Sequence, residues 1–251
     1  MLRLVTIPIS HYCEKARWAL ERAGIAYREE RHVQGIHRIA SRRAGGVGTV
    51  PVLVTPDGAL GESEEILTWV DAQLPPERRL FPAEGADRDE VSRLSRRFDE
   101  RLGPASRRLI YVHMLGHPDL MLRFNNEGVP RWEDRALRLG WPLAARWARR
   151  ELAITPGIEA ADEAAVWEEL DFAAGLLSDD REHLCGDRLS AADVTFAALT
   201  AAVVVPPVYG VPLPQPDVLP AGTAELVGRA REHPAGRYAM GLFAARERPT
   251  V

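Results

Sequence analysis

Gly48-Thr49-Val50-Pro51-Val52-Leu53-Val54-Thr55-Pro56-Asp57-Gly58 is an awkward way to open a β-run. Proline has no donor for a ladder, and within sheets it is confined to first positions, edges or bulges. Standing just before Val52, Pro51 leaves Val50 outside the ladder, its N–H and C=O free for another partner. An X-Pro bond is also where a cis peptide is accessible. Together these features predict a turned-out backbone that accepts an extended ligand as if it were one more strand. Pro56-Asp57-Gly58 then turns the chain into a hairpin with Ala59-Leu60.

Working outward, the flanks supply the rest of a small sheet. Leu2-Arg3-Leu4-Val5-Thr6-Ile7 is short, apolar and β-branched, and reads as a buried strand ended by Pro8. Ser10 precedes a helical pattern from about His11 to Ala23, with Ala16, Ala19, Leu20 and Ala23 at helical spacing and Gly24 where a C-terminal glycine belongs. Residues 25–33 give a second strand. An arginine-rich, glycine-punctuated loop with one helical turn leads back to Thr49. Beyond the hairpin, Glu62-Ser63 opens a helix to about Leu74, with Ile66, Leu67 and Val70 inward, Ser63 as N-cap, and Glu64 and Glu65 complementing the dipole.

Pro75-Pro76-Glu77-Arg78-Arg79-Leu80-Phe81-Pro82 is a proline-punctuated connector. After it the apolar period becomes 3.6 and stays so. Asp87 and Glu90 predict a capping box opening a stripe of Val91, Leu94, Phe98 and Leu102, and Gly103-Pro104 predicts a kink or break. The region from Pro118 to Thr155 has no clear assignment, with Pro130 and Pro142 as helix starts or breaks. A helix follows over about 159–177. Ser190-Ala191-Ala192-Asp193 is the clearest helix start in the chain, and one terminal helix is expected from about Thr223. The fold class is thus α/β plus all-α. Residues 1–75 form the first domain, 76–86 the linker and 87–251 an all-helical domain.

Composition narrows the function classes. Charged residues are 27 % and hydrophobic residues 46 %, ordinary for a globular protein. A formal net charge of −4 gives no whole-chain footprint for nucleic acid or membrane. Lys15 is the only lysine among the basic residues. Cys13 and Cys185 form neither a disulfide framework nor a metal spacing, which suits a reducing cytoplasm. Residues 1–9 do not read as a signal peptide. The uncharged run from Val194 to Pro212 is interrupted by Pro206-Pro207, and predicts a buried helix ending at Val205, not a membrane span.

Pro8-Ile9-Ser10-His11-Tyr12-Cys13-Glu14-Lys15-Ala16-Arg17, Thr49-Val50-Pro51, Gly61-Glu62-Ser63 and Ser190-x-x-Asp193, in this order, resemble the cytosolic glutathione transferase superfamily, and in outline the resemblance covers the whole chain. It implies a thioredoxin-like first domain (β-α-β-α-β-β-α), a cis Pro51, a helical domain lining a second-substrate pocket, and glutathione as co-substrate without a metal. It also implies a homodimer. Val50 would pair through its backbone with the cysteinyl part of glutathione, and Glu62 and Ser63 would hold the γ-glutamyl end.

The resemblance places Ser10 at the catalytic position. A thiol of pKa about 8.5 is only a few per cent thiolate at neutral pH, and lowering it by about two units requires roughly 2.7 kcal/mol. A hydrogen bond to a charged group contributes about 1.5–3 kcal/mol and a helix N-terminus about 0.3–1, so one serine hydroxyl at a helix start suffices. The expected activity is conjugation of glutathione to a small, apolar electrophile. Three alternatives stay open: Ser10 as a plain N-cap, a thiol-disulfide oxidoreductase using Cys13 in what looks like a C-x-x-C motif with its first cysteine replaced, and a non-catalytic binding scaffold. Tyr12 could offer a hydroxyl in place of Ser10, although its position inside the helix argues against it.

Other signals carry less. Ala44-Gly45-Gly46-Val47-Gly48 is not a phosphate loop, since no Gly-Lys-Ser/Thr follows. His113 and His117 are four apart, but Gly116 and Pro118 end that helix, and a surface reading is preferred to a metal pair. The arginines between Arg131 and Arg150 read as a solvated face, and the tryptophans beside them as core.

Overall fold

The computed structural model describes residues 1–179 and 181–247. Four strands form one mixed sheet: β1 (Leu2–Thr6), β2 (Tyr27–Arg31), β3 (Val52–Thr55) and β4 (Gly58–Leu60), in the order β2-β1-β3-β4. β1 is parallel to β2 and antiparallel to β3, with Leu4 opposite Leu53 and Val5 opposite Val52. These four apolar side chains are fully buried, Leu4 and Leu53 in one cluster and Val5 and Val52 in another on the opposite face, so the central strand pair is covered on both sides. β2 is an edge strand, and its Tyr-Arg-Glu-Glu-Arg sequence is the charged kind that tolerates an edge.

α1 (His11–Arg22) and α3 (Ser63–Asp71) pack together beside the sheet. α1 ends at Gly24, which has φ +63°, with Ile25 N–H donating to Leu20 O at 3.0 Å and Gly24 N–H to Glu21 O at 3.0 Å, the paired closure of a Schellman motif. Between β2 and β3 the arginine-rich segment holds a seven-residue helix, α2 (His37–Arg43), longer than the single turn expected. All four strands and the three helices among and after them follow the predicted β-α-β-α-β-β-α order, a thioredoxin-like arrangement.

Nine further helices follow among the described residues: α4 (Ala86–Arg97), α5 (Gly103–Met114), α6 (Pro118–Asn125), α7 (Arg131–Leu139), α8 (Trp141–Glu151), α9 (Ile158–Leu176), α10 (Ala191–Val204), α11 (Ala221–Glu232) and α12 (Pro234–Ala244). α10 is buried on nearly every side, and α1, α4, α5 and α12 surround it. Asp193 explains its sharp start. One carboxylate oxygen accepts Leu184 N–H at 2.8 Å and Tyr238 O–H at 2.5 Å, while the other accepts Ser190 N–H at 2.7 Å and its hydroxyl at 2.6 Å. No described helix is long and apolar enough to cross a membrane.

Several local expectations are corrected. α4 starts from Gly85 at φ +86° and not from an Asp87–Glu90 box. α3 is capped by Glu62, with Ser63 its first residue, because the Glu65 carboxylate reaches back to the N–H groups of Gly61 and Glu62 at 3.1 and 3.3 Å. The single terminal helix is two, α11 and α12, separated at His233-Pro234.

Gly103-Pro104 does not break the helix; a π-helical turn over Phe98–Leu102 joins α4 to α5. In this turn Gly103 N–H donates to Phe98 O, five residues back. The next donor, which would serve Asp99 O, is missing because residue 104 is proline. Tyr12 O–H fills the gap, donating to Asp99 O at 3.0 Å. A Cβ on Gly103 would lie 2.2 Å from that hydroxyl, so only glycine lets the tyrosine approach.

Candidate functional site

Three chain entries meet at one cavity of about 760 Å³: the start of α1, the peptide before β3 and the start of α3. Ser10, Val50, Pro51, Glu62 and Ser63 all line it. Ser10 keeps extended backbone (φ −68°, ψ 121°), with its N–H on Ile7 O at 3.1 Å. Its hydroxyl oxygen accepts the Cys13 N–H at 3.4 Å, a long capping bond that leaves the hydroxyl proton for another acceptor. Val50-Pro51 is cis. Neither the amide nor the carbonyl of Val50 has a backbone partner among the described residues, and the β1–β3 ladder begins at Val52. Ser63 lies in the first turn of α3, where backbone N–H groups have no intrahelical acceptor. Burial and then the neighbouring Glu65 raise the pKa of the Glu62 carboxyl.

The remaining residues of the α1 motif point elsewhere. Cys13 is fully buried and absent from the cavity lining, and burial pushes its thiol up to about 11. Tyr12 lines the cavity, but its hydroxyl is engaged by Asp99 O, and burial raises its pKa to about 12 against the pull of Arg107. His11 also lines the cavity and is nearly buried, its Nε2 without a hydrogen-bond partner. Burial, helped by Arg107, holds its pKa down to about 3, so the imidazole is neutral.

The helical part supplies the opposite wall. Tyr111 and Met114 come from α5, Met121 and Phe124 from α6, Trp147 from α8, and Leu213 and Leu219 from the proline-rich loop. The unassigned stretch 118–155 therefore holds three helices, of which α6 and α8 roof the cavity. Long-range polar contacts pin this stretch to the segment that follows β2: Glu133 accepts Val33 N–H at 3.0 Å and lies 2.8 Å from His32 Nδ1, and Asn125 Nδ2 donates to Gln34 Oε1 at 2.7 Å. Of the tryptophans here, Trp141 is partly buried against two apolar clusters, as expected, and the other two are not core. Trp132 is 62 % exposed, and Trp147 lines the cavity with the Arg38 guanidinium 5.3 Å from its ring centroid. The arginines are exposed, as the solvated-face reading has it. His113 Nε2 lies 3.4 Å from a Glu159 carboxylate oxygen.

Asp99 is the site residue the sequence reading passed over. It lines the cavity; one carboxylate oxygen accepts Lys15 Nζ at 2.7 Å, and the other is buried with no partner. A signal for it existed: Lys15, the only lysine, sits among the buried positions of α1 and requires a carboxylate. His11, Arg38, Arg96 and Arg107 also reach the cavity unannounced.

Comparison with known proteins places these features. Residues 4–78 match the family described as glutathione S-transferase, N-terminal domain. A glutathione S-transferase structure from Sinorhizobium meliloti 1021 is similar over 100 % of this chain and 96 % of its own, with 19 % identity and a TM-score of 0.60. A glutathione transferase from Populus trichocarpa covers 98 % of this chain and 94 % of its own, at 16 % identity and TM-score 0.60. A glutathione S-transferase from Methylobacillus flagellatus, solved with glutathione bound, covers 95 % of this chain and 98 % of its own, at 14 % identity and TM-score 0.56. The comparison with curated proteins finds no match.

Proposed function

We propose that this chain, whose fold is that of the glutathione transferase superfamily, binds glutathione along the Val50 edge and joins its sulfur to a small apolar electrophile. The observation that carries the reading is a division of the cavity into two walls. Ser10, Val50, Glu62 and Ser63 stand on one, and apolar and aromatic side chains from α5, α6 and α8 stand on the other.

The residues present suit a tripeptide. The free N–H and C=O of Val50 pair with the cysteinyl residue as a neighbouring strand would. Ser63, at the start of α3, offers a hydroxyl and a backbone N–H to the γ-glutamyl carboxylate. The ammonium of the same residue has acidic partners at hand in Glu62 and the unpaired oxygen of Asp99.

Ser10 then donates a hydrogen bond from its hydroxyl to the thiolate and stabilises it together with the first turn of α1. The thiol proton passes to solvent, the thiolate forms a carbon–sulfur bond with its own electron pair, and the bond from that carbon to the leaving group breaks, its electron pair departing with the leaving group. Burial and the raised thiol pKa of Cys13 favour this reading over a thiol-disulfide exchange centred on that residue. A cytoplasmic, homodimeric enzyme of detoxification is the setting proposed with it.

Conjugation of glutathione to an activated aryl halide tests the proposal. Loss of one hydrogen bond to the anion raises the thiol pKa by about one to two units, so Ser10→Ala is expected to lower kcat/KM at neutral pH about ten- to a hundredfold. Cys13→Ala is expected to stay within about twofold of native, since no step runs through it. Equal activity in Ser10→Ala and native protein removes Ser10 from the chemistry. Loss confined to Cys13→Ala transfers the role to the cysteine.

A further inference from the structure

The corner made by α7 and α8 combines open apolar side chains with an excess of arginine, and the transferase reading uses neither. Trp132 and Leu139 are seven residues apart, two turns along one face of α7, and are 62 % and 88 % exposed. Beyond the turn at Gly140, Leu143 is 75 % exposed. The inner faces of these helices are satisfied, Leu137 packing with Val33 and Leu122, and Ala148 with Met114 and Met121. Trp132, Leu139 and Leu143 belong to no buried apolar cluster among the described residues. Two nearly free leucines and a tryptophan on consecutive helices are exposed apolar groups of the kind that mark an interaction surface.

Arg131, Arg135, Arg138, Arg146, Arg149 and Arg150 stand around them, all exposed. Nearby acids do not neutralise this set. Glu133 is buried against His32 and Val33, Asp134 is engaged by Arg138 and Asn126, and Glu151 is paired with Arg38. The other five arginines form no salt bridge among the described residues. A chain of net charge −4 therefore carries a local cationic face with an apolar centre.

We infer that this corner docks on an anionic lipid surface, with Trp132, Leu139 and Leu143 entering the boundary between headgroups and acyl chains and the arginines meeting lipid phosphates. A short helix with a cationic rim and exposed leucine and tryptophan is suited to lying in that interface. Symmetric pairing with a second copy would set the arginines against one another. A nucleic acid would answer the charge but not the leucines, which have nothing to bury against a phosphate backbone. α8 also carries Trp147 of the cavity lining, so a docked corner brings that apolar wall close to the phase in which apolar electrophiles collect.

Co-sedimentation of the whole protein with lipid vesicles tests the inference, and it needs no catalysis, so its failure is separable from that of the transferase reading. Vesicles of phosphatidylcholine alone and of phosphatidylcholine with phosphatidylglycerol are compared. Partitioning onto the anionic vesicles is expected to exceed that onto neutral ones by about tenfold or more, and to collapse near 1 M salt, where the Debye length is about 3 Å. The double variant Leu139→Ser/Leu143→Ser is expected to lose about tenfold or more of this partitioning with its melting temperature unchanged. Arg135→Gln/Arg146→Gln/Arg149→Gln is expected to lose the preference for anionic lipid. The inference is overturned if native protein stays in the supernatant, or if the leucine variant partitions as native does, which would mean plain electrostatic adsorption. It is equally overturned if the leucine variant abolishes a self-association seen without vesicles, or if duplex DNA binds native and leucine variant alike and displaces the vesicles.

Discussion

At the scale of single residues, the oxygen of Ser10 accepts from Cys13 N–H while the hydroxyl proton stays uncommitted, so capping the helix and the proposed donation to a thiolate do not compete for the same atom. Its neighbour His11 has the opposite character: buried, neutral, and with Nε2 unpartnered. Burial and Arg107 depress its pKa from the ordinary 6.5 to about 3. Between those values the unfolded chain binds a proton that the folded chain refuses. Stability therefore falls as pH drops from about 6.5 towards 3, by about 1 kcal/mol per pH unit, and is insensitive to this group above that range. His37, depressed to about 4 by burial and Arg38, adds a loss of the same sign. His11→Gln removes one of the two contributions. The difference in unfolding free energy between native and variant is expected to shift in favour of the variant as pH falls from 6.5 to 4.5. A difference that stays constant over that interval means that His11 accepts a proton within the fold.

At the scale of elements, the joint between α4 and α5 shows what a sequence conveys and what it withholds. Gly103-Pro104 announces trouble in a helix, but not its remedy, a tyrosine hydroxyl from a residue 87 positions earlier. Tyr12→Phe keeps the ring and removes the donor, leaving Asp99 O with neither Gly103 N–H nor a substitute. We expect a loss of about 1–3 kcal/mol in denaturant unfolding and activity far closer to native than in Ser10→Ala. A collapse of activity as deep as that of Ser10→Ala would make Tyr12 the thiol's donor instead. The same contrast divides the legible from the illegible elsewhere. Ser190-x-x-Asp193 could be read because both partners of the box lie within one helical turn. At Gly61-Glu62-Ser63 two adjacent residues competed for one cap, and Glu65 decided between them by reaching both preceding N–H groups. The floor of the site was legible because Ser10, Val50, Glu62 and Ser63 sit in short local motifs. Its roof was not, since Glu133 meets His32 across 101 positions and Asp99 meets Lys15 across 84, distances that no spacing rule spans.

At the scale of the molecule, buried ions join the two parts around the cavity. Glu14 is fully buried; it accepts Gly210 N–H at 2.9 Å and Arg17 Nη1 at 2.9 Å, and is paired with Arg246 near the end of the described chain. Arg17 continues the network to Glu29 at 2.7 Å and to Pro8 O at 3.0 Å, two residues from Ser10. One large apolar cluster runs from Leu4 and Leu53 of the sheet through α1 and α10 to Phe243 of α12. Parts tied by both a shared core and shared charges melt together, and a ligand held by one wall stabilises both. Glutathione at about a hundred times its Kd adds about 2.7 kcal/mol, and a chain of this size gains roughly 2–4 °C per kcal/mol. We therefore expect one calorimetric transition, displaced upward by about 5–10 °C in saturating glutathione. Ser10→Ala should show most of that displacement, because the Val50 edge and the α3 start remain. Absence of any displacement in the native protein would mean that the cavity does not take the tripeptide, and the transferase reading would fall with it. Two transitions, with only the lower one moved by ligand, would mean that the ion network does not bind the parts into a single cooperative unit.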